Sequence, residues 1–183
     1  MNILEIRVKT KCLPLSQTSI QSLLNLDRYD HIVFTSKNAR QFFAEALRQY
    51  RVKSPVSGQI IQVGPRADLL KIPLSGKRIL FPRSAIAPHD IVKKMRVRGA
   101  TVRIVQLYTA YGMPLSPTQK RSLLSGEIRK LYFKSPSGID GLLRQVSRSE
   151  RKIVLAIPAL CIGETTVQAA RKAGFKQVRI KNV

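Results

Sequence analysis

The sequence predicts an α/β fold built from two similar lobes, each with a small and mostly parallel sheet. Short apolar runs alternate with amphipathic stretches along the whole chain, as strand-helix-strand units do. The 183 residues are 44% hydrophobic and 23% charged, with ten Gly and ten Pro, so the composition is that of a globular protein with a true core. One pattern also occurs twice at constant spacing, which predicts the two lobes.

The apolar runs set the expected elements in order. We predict strands at 3–8, 31–34, 59–63, 78–81, 101–107, 130–133, 153–156 and 177–180. A helix at 38–50 carries one apolar face, which consists of Ala39, Phe42, Phe43, Ala46 and Leu47. A second helix at 86–98 also carries an apolar face, which consists of Ile91, Val92 and Met95. Five prolines are expected between elements, where a missing N–H does no harm: Pro14, Pro55, Pro73, Pro82 and Pro114.

The repeat has an offset of 99 residues. Ser36 and Ser135 each follow an apolar run ending in Phe and precede a helical stretch. Gly64 and Gly163 also lie 99 residues apart, so the distance from serine to glycine is 28 residues in both halves. We interpret this as a duplication, although α/β proteins commonly repeat such turns.

The four turns have a shared chemistry. A helix that starts after a strand presents free backbone N–H groups and a positive dipole end, which bind carboxylate or phosphate. Hydroxyl groups at Thr35, Ser137, Thr165 and Thr166 add further donors. If two sheets face each other across a cleft, the turns would address one large polyanion. Helix capping alone also explains each serine.

The charge indicates an anionic partner. The chain carries 33 Lys plus Arg against 10 Asp plus Glu, a net charge of +23. Nucleic acid is the usual partner of such a protein, and a polycarboxylate substrate is the alternative. The basic residues are spread along the chain, and the densest run, at 93–98, has the spacing of a solvated helix face. If the charge serves a polycarboxylate in a cleft, the nearest basic candidates by their turn positions are Lys37, Arg66, Arg83 and Lys134.

Other function classes have no support in the sequence. It holds no GxGxxG, GxxxxGK[ST] or HExxH motif, and His31 and His89 have no partner at a catalytic spacing. Cys12 and Cys161 could form one disulfide but give no metal spacing. No apolar run approaches the roughly 18 residues that a membrane helix needs, so we expect a cytoplasmic protein. The phenol of Tyr108 or Tyr111 could donate a proton, or simply pack at a strand end.

Three stretches together resemble the uroporphyrinogen-III synthase family: YDHIVFTSKNA at 29–39, FKSPSG at 133–138 and IGETTVQAA at 162–170. Weaker matches at 63–65 and 78–83 fall in the right order between them. The similarity runs from about Leu13 to Ile180. Each motif alone is unspecific, whereas the ordered set is more specific.

The resemblance implies two α/β lobes joined by a two-stranded linker, with the active site in the cleft. The continuous lobe would be 13–104, the second would combine 1–7 with 113–183, and 8–12 and 105–112 would be the linker strands. Relative to the family, we expect the second lobe to be trimmed at both ends. Ala67 and Lys134 stand where the family usually has a threonine and a small or hydroxyl residue.

The resemblance also implies an activity: cyclisation of the linear tetrapyrrole hydroxymethylbilane, which bears eight carboxylates, with inversion of its last pyrrole ring. No cofactor or metal would be needed, and we expect a monomer. Tyr108 aligns with the usual proton donor. The residues expected to bind substrate are Thr35, Ser36, Lys37, Gly64, Ser135, Ser137, Gly138, Gly163, Thr165 and Thr166. The alternative is a binding protein for a tetrapyrrole or nucleic acid that has lost the chemistry.

Overall fold

Two α/β units, each with its own parallel sheet, make up residues 2–55, 60–62 and 73–181, which are the residues that this computed structural model describes. One unit is Lys11–Thr109, and the other combines Met1–Thr10 with Ala110–Val183. The chain therefore passes between units twice. The predicted fold class is confirmed, whereas the lobe limits that the family implies stay a prediction.

The elements have the following bounds. The strands are β1 (Ile3–Ile6), β2 (Val8–Cys12), β3 (His31–Phe34), β4 (Ile60–Gln62), β5 (Arg78–Ser84), β6 (Thr101–Gly112), β7 (Lys130–Phe133), β8 (Ala159–Cys161) and β9 (Val178–Ile180). The helices are α1 (Gln17–Leu24), α2 (Lys37–Gln49), α3 (Asp90–Val97), α4 (Pro117–Leu124), α5 (Pro136–Leu143), α6 (Arg148–Ala156) and α7 (Glu164–Lys172), with a 3-10 turn at Leu26–Arg28.

The sheet of the Lys11–Thr109 unit has the order β2-β6-β5-β3-β4, and buried clusters cover both faces of its central strands. Strand β3 shows why, because its alternate side chains enter two different clusters. Phe34 packs with Phe43 of α2, at 5.2 Å between ring centroids. Val33 joins the cluster that contains Met95 of α3. A strand with helices on both sides reads as a continuous apolar run, and the sequence at 31–34 has that form.

The other unit has the sheet order β1-β7-β8-β9, with each neighbouring pair parallel. One core cluster fills it, in which Leu131 and Phe133 of β7 pack with Ile139 of α5 and Val167 of α7. All four residues are at most 3% exposed. The core therefore places the starts of α5 and α7 against the ends of β7 and β8.

The two units repeat each other in detail at the predicted offset. Strands β3 and β4 match β7 and β8 residue for residue at an offset of 99 positions, and the pairing register is also conserved. Ile32 pairs with Ile60, and Leu131 pairs with Ala159. The units differ beside this pair of strands: β5 lies between β6 and β3, whereas β1 pairs directly with β7.

The strand predicted at 153–156 is wrong, because these residues end helix α6. Ser147 and Glu150 form a capping box, in which the Ser147 hydroxyl accepts from the Glu150 N–H and Glu150 accepts from the Ser147 N–H. This start signal makes the following apolar run helical up to the turn at Pro158. The strand lies three residues later than the end of that run, at Ala159–Cys161.

Two further expectations need correction. The single strand expected at 3–8 is interrupted at Arg7, with β1 in one sheet and β2 in the other. Pro82 lies inside β5, which continues to Ser84. The pairing of β5 with β3 extends only to Leu80, so the missing N–H of Pro82 does not break that ladder.

Candidate functional site

Ser36 and Tyr108 meet at the carboxyl end of the sheet in the Lys11–Thr109 unit. Ser36 follows β3 and is the N-cap of α2, where its Oγ accepts a hydrogen bond of 3.0 Å from the Ala39 N–H. The same Oγ lies 3.1 Å from the Tyr108 hydroxyl, and either hydroxyl can be the donor. A capping serine and a strand-end tyrosine, 72 positions apart, therefore form one hydroxyl pair.

The ring of Tyr108 is held in place by packing. It is 6% exposed and stacks on Phe42 of α2, with ring centroids 4.7 Å apart and an angle of 13° between the planes. Phe42 is on the same helix that Ser36 caps. One helix thus positions both the ring and the hydroxyl of Tyr108. Tyr111, the other candidate phenol, is 45% exposed.

Arg83 is a buried charged residue close to this pair. It is 2% exposed, and burial lowers the pKa of Arg83, an effect that the nearby Tyr108 partly opposes. Its neighbour Ser84 is opposite Tyr108 in the register of β5 and β6. The carboxyl ends of β3, β5 and β6 therefore bring a phenol, an aliphatic hydroxyl and a guanidinium to the same edge.

The other unit repeats the serine turn with different hydrogen bonds. Ser135 is the N-cap of α5, but its side chain makes no capping bond to the helix. Its Oγ is 2.9 Å from that of Ser137, so two half-buried hydroxyls stand together at the start of α5. Gly138 is buried in the first turn, where an added Cβ would lie 3.4 Å from Val8 Cγ2. The helix therefore approaches the start of β2 closely.

Gly163 and the two threonines stand beside this serine turn. The Ile162 N–H donates to the Phe133 carbonyl at 3.0 Å, which places the ends of β7 and β8 side by side. Gly163 is the N-cap of α7, and an added Cβ would meet nothing within 4 Å. Thr165 is exposed, whereas Thr166 is 3% exposed. The start of α7 thus offers backbone donors that no side chain covers at the glycine.

The remaining predicted residues have varied surroundings. Thr35 is half-buried in the turn before Ser36, and Lys37 is exposed as the first residue of α2. Gly64, like Arg66, lies outside the described residues. Lys134 donates a hydrogen bond of 2.8 Å to Glu5 Oε1, which raises the pKa of Lys134. The lysine that replaces a small residue is therefore already paired with a carboxylate.

Sequence reasoning missed one member of this arrangement, Phe42, and named Arg83 only as one of four basic candidates. Phe42 was assigned to the helix core, and nothing in the helical spacing distinguishes a residue that packs on a functional phenol. The sequence prediction ends the strand before Arg83 at Phe81, whereas β5 continues to Ser84. A signal existed in the position itself: a charged residue two places after a buried phenylalanine shares that residue's face of the strand.

Residues 2–55, 60–62 and 73–181 contain no cluster of three or more His, Cys, Asp and Glu side chains that could hold a metal ion. No helix there is long and apolar enough to span a bilayer. Cys12 is free and exposed, and Cys161 is free and buried, so the two cysteines do not form the disulfide that the sequence allowed.

The chain matches the family model for uroporphyrinogen-III synthase HemD over residues 67–182. The repeated strand-turn-helix units, each with its own parallel sheet, define a two-unit α/β protein. This chain belongs to the uroporphyrinogen-III synthase family.

Two curated relatives share part of their length with the chain. The porphyrin biosynthesis protein HemD of Ruminiclostridium josui is 26% identical over 91% of this chain and 38% of the relative. The chloroplastic uroporphyrinogen-III synthase of Oryza sativa subsp. japonica is 30% identical over 55% of this chain and 32% of the relative. The chain thus spans well under half the length of these relatives.

Solved structures show the same fold. A mutant uroporphyrinogen III synthase of the extremely thermophilic bacterium Thermus thermophilus aligns with a TM-score of 0.62 at 16% identity, over 96% of this chain and 82% of that one. The uroporphyrinogen-III synthetase of Helicobacter pylori 26695 aligns with a TM-score of 0.57 at 15% identity, over 97% and 91%. At these identities the likeness concerns the fold.

Proposed function

We propose that this protein is a uroporphyrinogen-III synthase that converts hydroxymethylbilane into uroporphyrinogen III with loss of water. Membership of the family supports the reaction class. The observation that supports the proposal most directly is the Ser36–Tyr108 hydroxyl pair, since a phenol with a hydrogen-bonded hydroxyl lies at a strand end beside the start of α2. The substrate carries the eight carboxylates that such a site suits.

Tyr108 is proposed as the proton donor. Its phenol protonates the terminal hydroxyl of the substrate, which leaves as water and generates an azafulvene cation. The far pyrrole ring then attacks with its substituted carbon, and the resulting spiro intermediate fragments and recloses through the free α-carbon of that ring, now inverted. This carbon loses its proton as the pyrrole is restored, and the proton returns to the Tyr108 phenolate. Ser36 holds the phenol during the first step, and the Phe42 stack prevents the ring from turning away.

Binding is proposed to use the helix starts more than charged side chains. The first turns of α2, α5 and α7 have free N–H groups, and each is flanked by hydroxyl or glycine residues from the predicted set. Thr35, Ser36 and Lys37 serve at α2, and Ser135, Ser137 and Gly138 at α5. Gly163, Thr165 and Thr166 serve at α7, and Gly64 completes the proposed set. Fixing a flexible chain through many such contacts favours one closure over another.

The test uses the isomer of the product. Purified protein receives hydroxymethylbilane, and the oxidised product is separated into type I and type III isomers. Spontaneous closure gives type I only, so type III in excess of a heat-denatured control supports the proposal. Type I alone, with native protein present throughout, rejects it. Dialysis against a chelator before the assay tests the proposed independence from metals and cofactors, because activity is then expected to be retained.

The net charge of +23 favours one other candidate, a nucleic-acid binder that keeps the fold without the chemistry. Duplex DNA binding at rising salt separates the two functions. We expect affinity to collapse between about 50 and 200 mM salt, as it does when only dispersed surface charge is involved. Sub-micromolar affinity at physiological salt would instead favour the binder. We further propose that the protein is a monomer and acts in the cytoplasm. Sedimentation at several protein concentrations tests the oligomeric state.

A further inference from the structure

Arg83 has two terminal amino groups without a hydrogen-bond acceptor. Both Nη1 and Nη2 are buried and unpaired, and this holds over the described residues. The Nε–H donates to the Ser84 carbonyl at 3.1 Å, and the guanidinium carbon is 5.9 Å from the centroid of the Phe81 ring. One backbone bond and one aromatic contact therefore serve a group that has five N–H donors.

This arrangement is costly for the protein alone. A buried charge needs a counter-ion or a full set of hydrogen bonds, and replacing such a group with an apolar residue of similar size is often neutral or stabilising. Among the described residues, the contacts of the Arg83 guanidinium are the Ser84 carbonyl and the Phe81 ring, and neither is an anion. A bound anion therefore explains the buried guanidinium of Arg83 better than a role in folding does.

The location of Arg83 indicates where that anion lies. Arg83 is near the carboxyl end of β5, opposite Gln106 of β6, and the register shifts between Arg83 and Ser84. Bulges of this kind re-aim side chains at the rim of a sheet. Ser84 then pairs with Tyr108, whose hydroxyl contacts Ser36. Ligands of open parallel sheets bind at this edge.

We propose that Nη1 and Nη2 of Arg83 bind one carboxylate of the substrate side by side, and that this contact holds the substrate next to the Ser36–Tyr108 pair. The inference rests on the proposed function for the identity of the substrate. Two parallel N–H donors match a carboxylate in geometry and charge. Because both amino groups are buried, binding turns the guanidinium outward, and the new hydrogen bonds to the carboxylate replace the missing ones.

Kinetics distinguish this role from an effect on Tyr108. We expect Arg83→Met to raise KM for hydroxymethylbilane about 10- to 100-fold, the range for charge-assisted hydrogen bonds, with kcat changed far less. Arg83→Lys keeps the charge but loses the paired donors, so its KM is expected between the two. Arg28→Met, at the exposed 3-10 turn before β3, is the control and keeps the parental KM. A fall in kcat at constant KM overturns the proposal and assigns Arg83 to the phenol instead.

Thermal unfolding distinguishes substrate binding from a role in folding, because the two roles predict opposite changes in the unfolding temperature of Arg83→Met. Arg83→Met is expected to unfold at the parental temperature or above it, because it removes an unpaired buried charge. A large loss of stability in Arg83→Met combined with a normal KM in Arg83→Lys shows a structural arginine and rejects the carboxylate site.

A probe that needs no turnover keeps this inference separate from the proposed function. Mellitate, a rigid polycarboxylate, is added to the native protein at fixed ionic strength, and the midpoint of thermal unfolding is recorded. We expect an upward shift in the parent and in Arg28→Met, and a reduced shift in Arg83→Met and Arg83→Lys. Equal shifts in all four proteins reject the site even if type III product forms. A shift that depends on Arg83 supports it even if only type I forms.

Discussion

The Tyr108 hydroxyl and the Ser36 Oγ lie 3.1 Å apart, and the same serine oxygen accepts the Ala39 N–H at the start of α2. The helix cap and the proposed proton donor are therefore one hydrogen-bonded unit. Any change at Ser36 alters both the stability of α2 and the environment of the phenol, whereas a change at Tyr108 can leave the cap intact. This asymmetry makes the two roles separable by mutation.

Tyr108→Phe is expected to slow type III formation with little effect on folding. The substitution keeps the ring that stacks on Phe42 and removes only the hydroxyl. General acid assistance contributes about 10²–10⁴-fold. We expect a loss near the lower end, because an electron-rich pyrrole expels its hydroxyl readily. Single-turnover rates of type III formation measure the effect.

Tyr111→Phe is the matched control for that variant. It lies three residues further along β6 and is 45% exposed, so loss of its hydroxyl is expected to leave the rate within a small factor of the parent. Equal losses in both tyrosine variants would show that a phenol hydroxyl in this strand matters only for general packing. A parental rate in Tyr108→Phe removes this residue from the chemistry.

Ser36→Ala is expected to cost about 1 kcal/mol of unfolding free energy through the lost cap, and more through the lost contact with Tyr108. Ser16→Ala is the control, because Ser16 caps α1 in the same way, with the Ser19 N–H at 3.2 Å. A double-mutant cycle of Ser36→Ala with Tyr108→Phe isolates the hydroxyl pair. We expect a coupling of about 0.5–1.5 kcal/mol by denaturant unfolding, and zero coupling would contradict the hydrogen bond.

Much of the fold could be predicted because both sheets have buried strands with sharp boundaries. The strands at 31–34 and 130–133 match their predicted limits, since parallel strands covered on their core side read as unbroken apolar runs. The run at 153–156 is also apolar, but it follows a capping box, and this helix start makes the run helical. Apolar content alone does not distinguish a buried strand from a buried helix end.

The candidate site was only partly predictable, for a physical reason. Ser36 and Ser135 carry a local signal, because each is the N-cap residue between a strand and a helix. Arg83 carries only the weaker signal of its place two residues after a buried phenylalanine, and its two unpaired amino groups become evident only in the folded structure. The contact between Ser36 and Tyr108 joins two strands that β5 separates in the sheet, and only the fold brings such residues together.

Asp30 is expected to make stability depend on pH in acid. Its carboxylate accepts from the Arg78 N–H at 2.7 Å and lies 3.5 Å from Lys77 Nζ, and the backbone bond in particular holds the pKa of Asp30 below its ordinary value of 3.8. The folded state therefore favours the ionised form. This stabilisation is fully present above the unfolded pKa and disappears as pH falls through the lower folded value.

Asp30→Asn tests this dependence. Between roughly pH 5 and pH 2, the unfolding midpoint of the parent should fall more steeply than that of the variant, and the two curves should run parallel above about pH 6. Asp27→Asn, at an exposed position in the 3-10 turn, controls for the change in net charge. If both variants flatten the acid limb equally, the effect belongs to overall charge and not to the contacts of Asp30.

The last prediction rests on the close approach of the Gly112 and Gly141 backbones. An added Cβ at Gly112 would lie 2.6 Å from the Gly141 Cα, and the neighbour is backbone, which cannot rotate away. Alanine at Gly141 gains about 1 kcal/mol of helix propensity in α5. Overpacking against a fixed backbone costs about 1–3 kcal/mol, so the clash wins and Gly141→Ala is expected to destabilise the protein.

Asp140→Ala is the control, because it makes the same kind of helix-propensity gain one residue away at an exposed position of α5. Its unfolding midpoint is expected at or slightly above that of the parent. Gly141→Ala should unfold several degrees lower, since each kcal/mol corresponds to about 2–4 °C for a chain of this size. If Gly141→Ala instead gains stability as Asp140→Ala does, the backbone contact between Gly112 at the end of β6 and Gly141 of α5 is rejected.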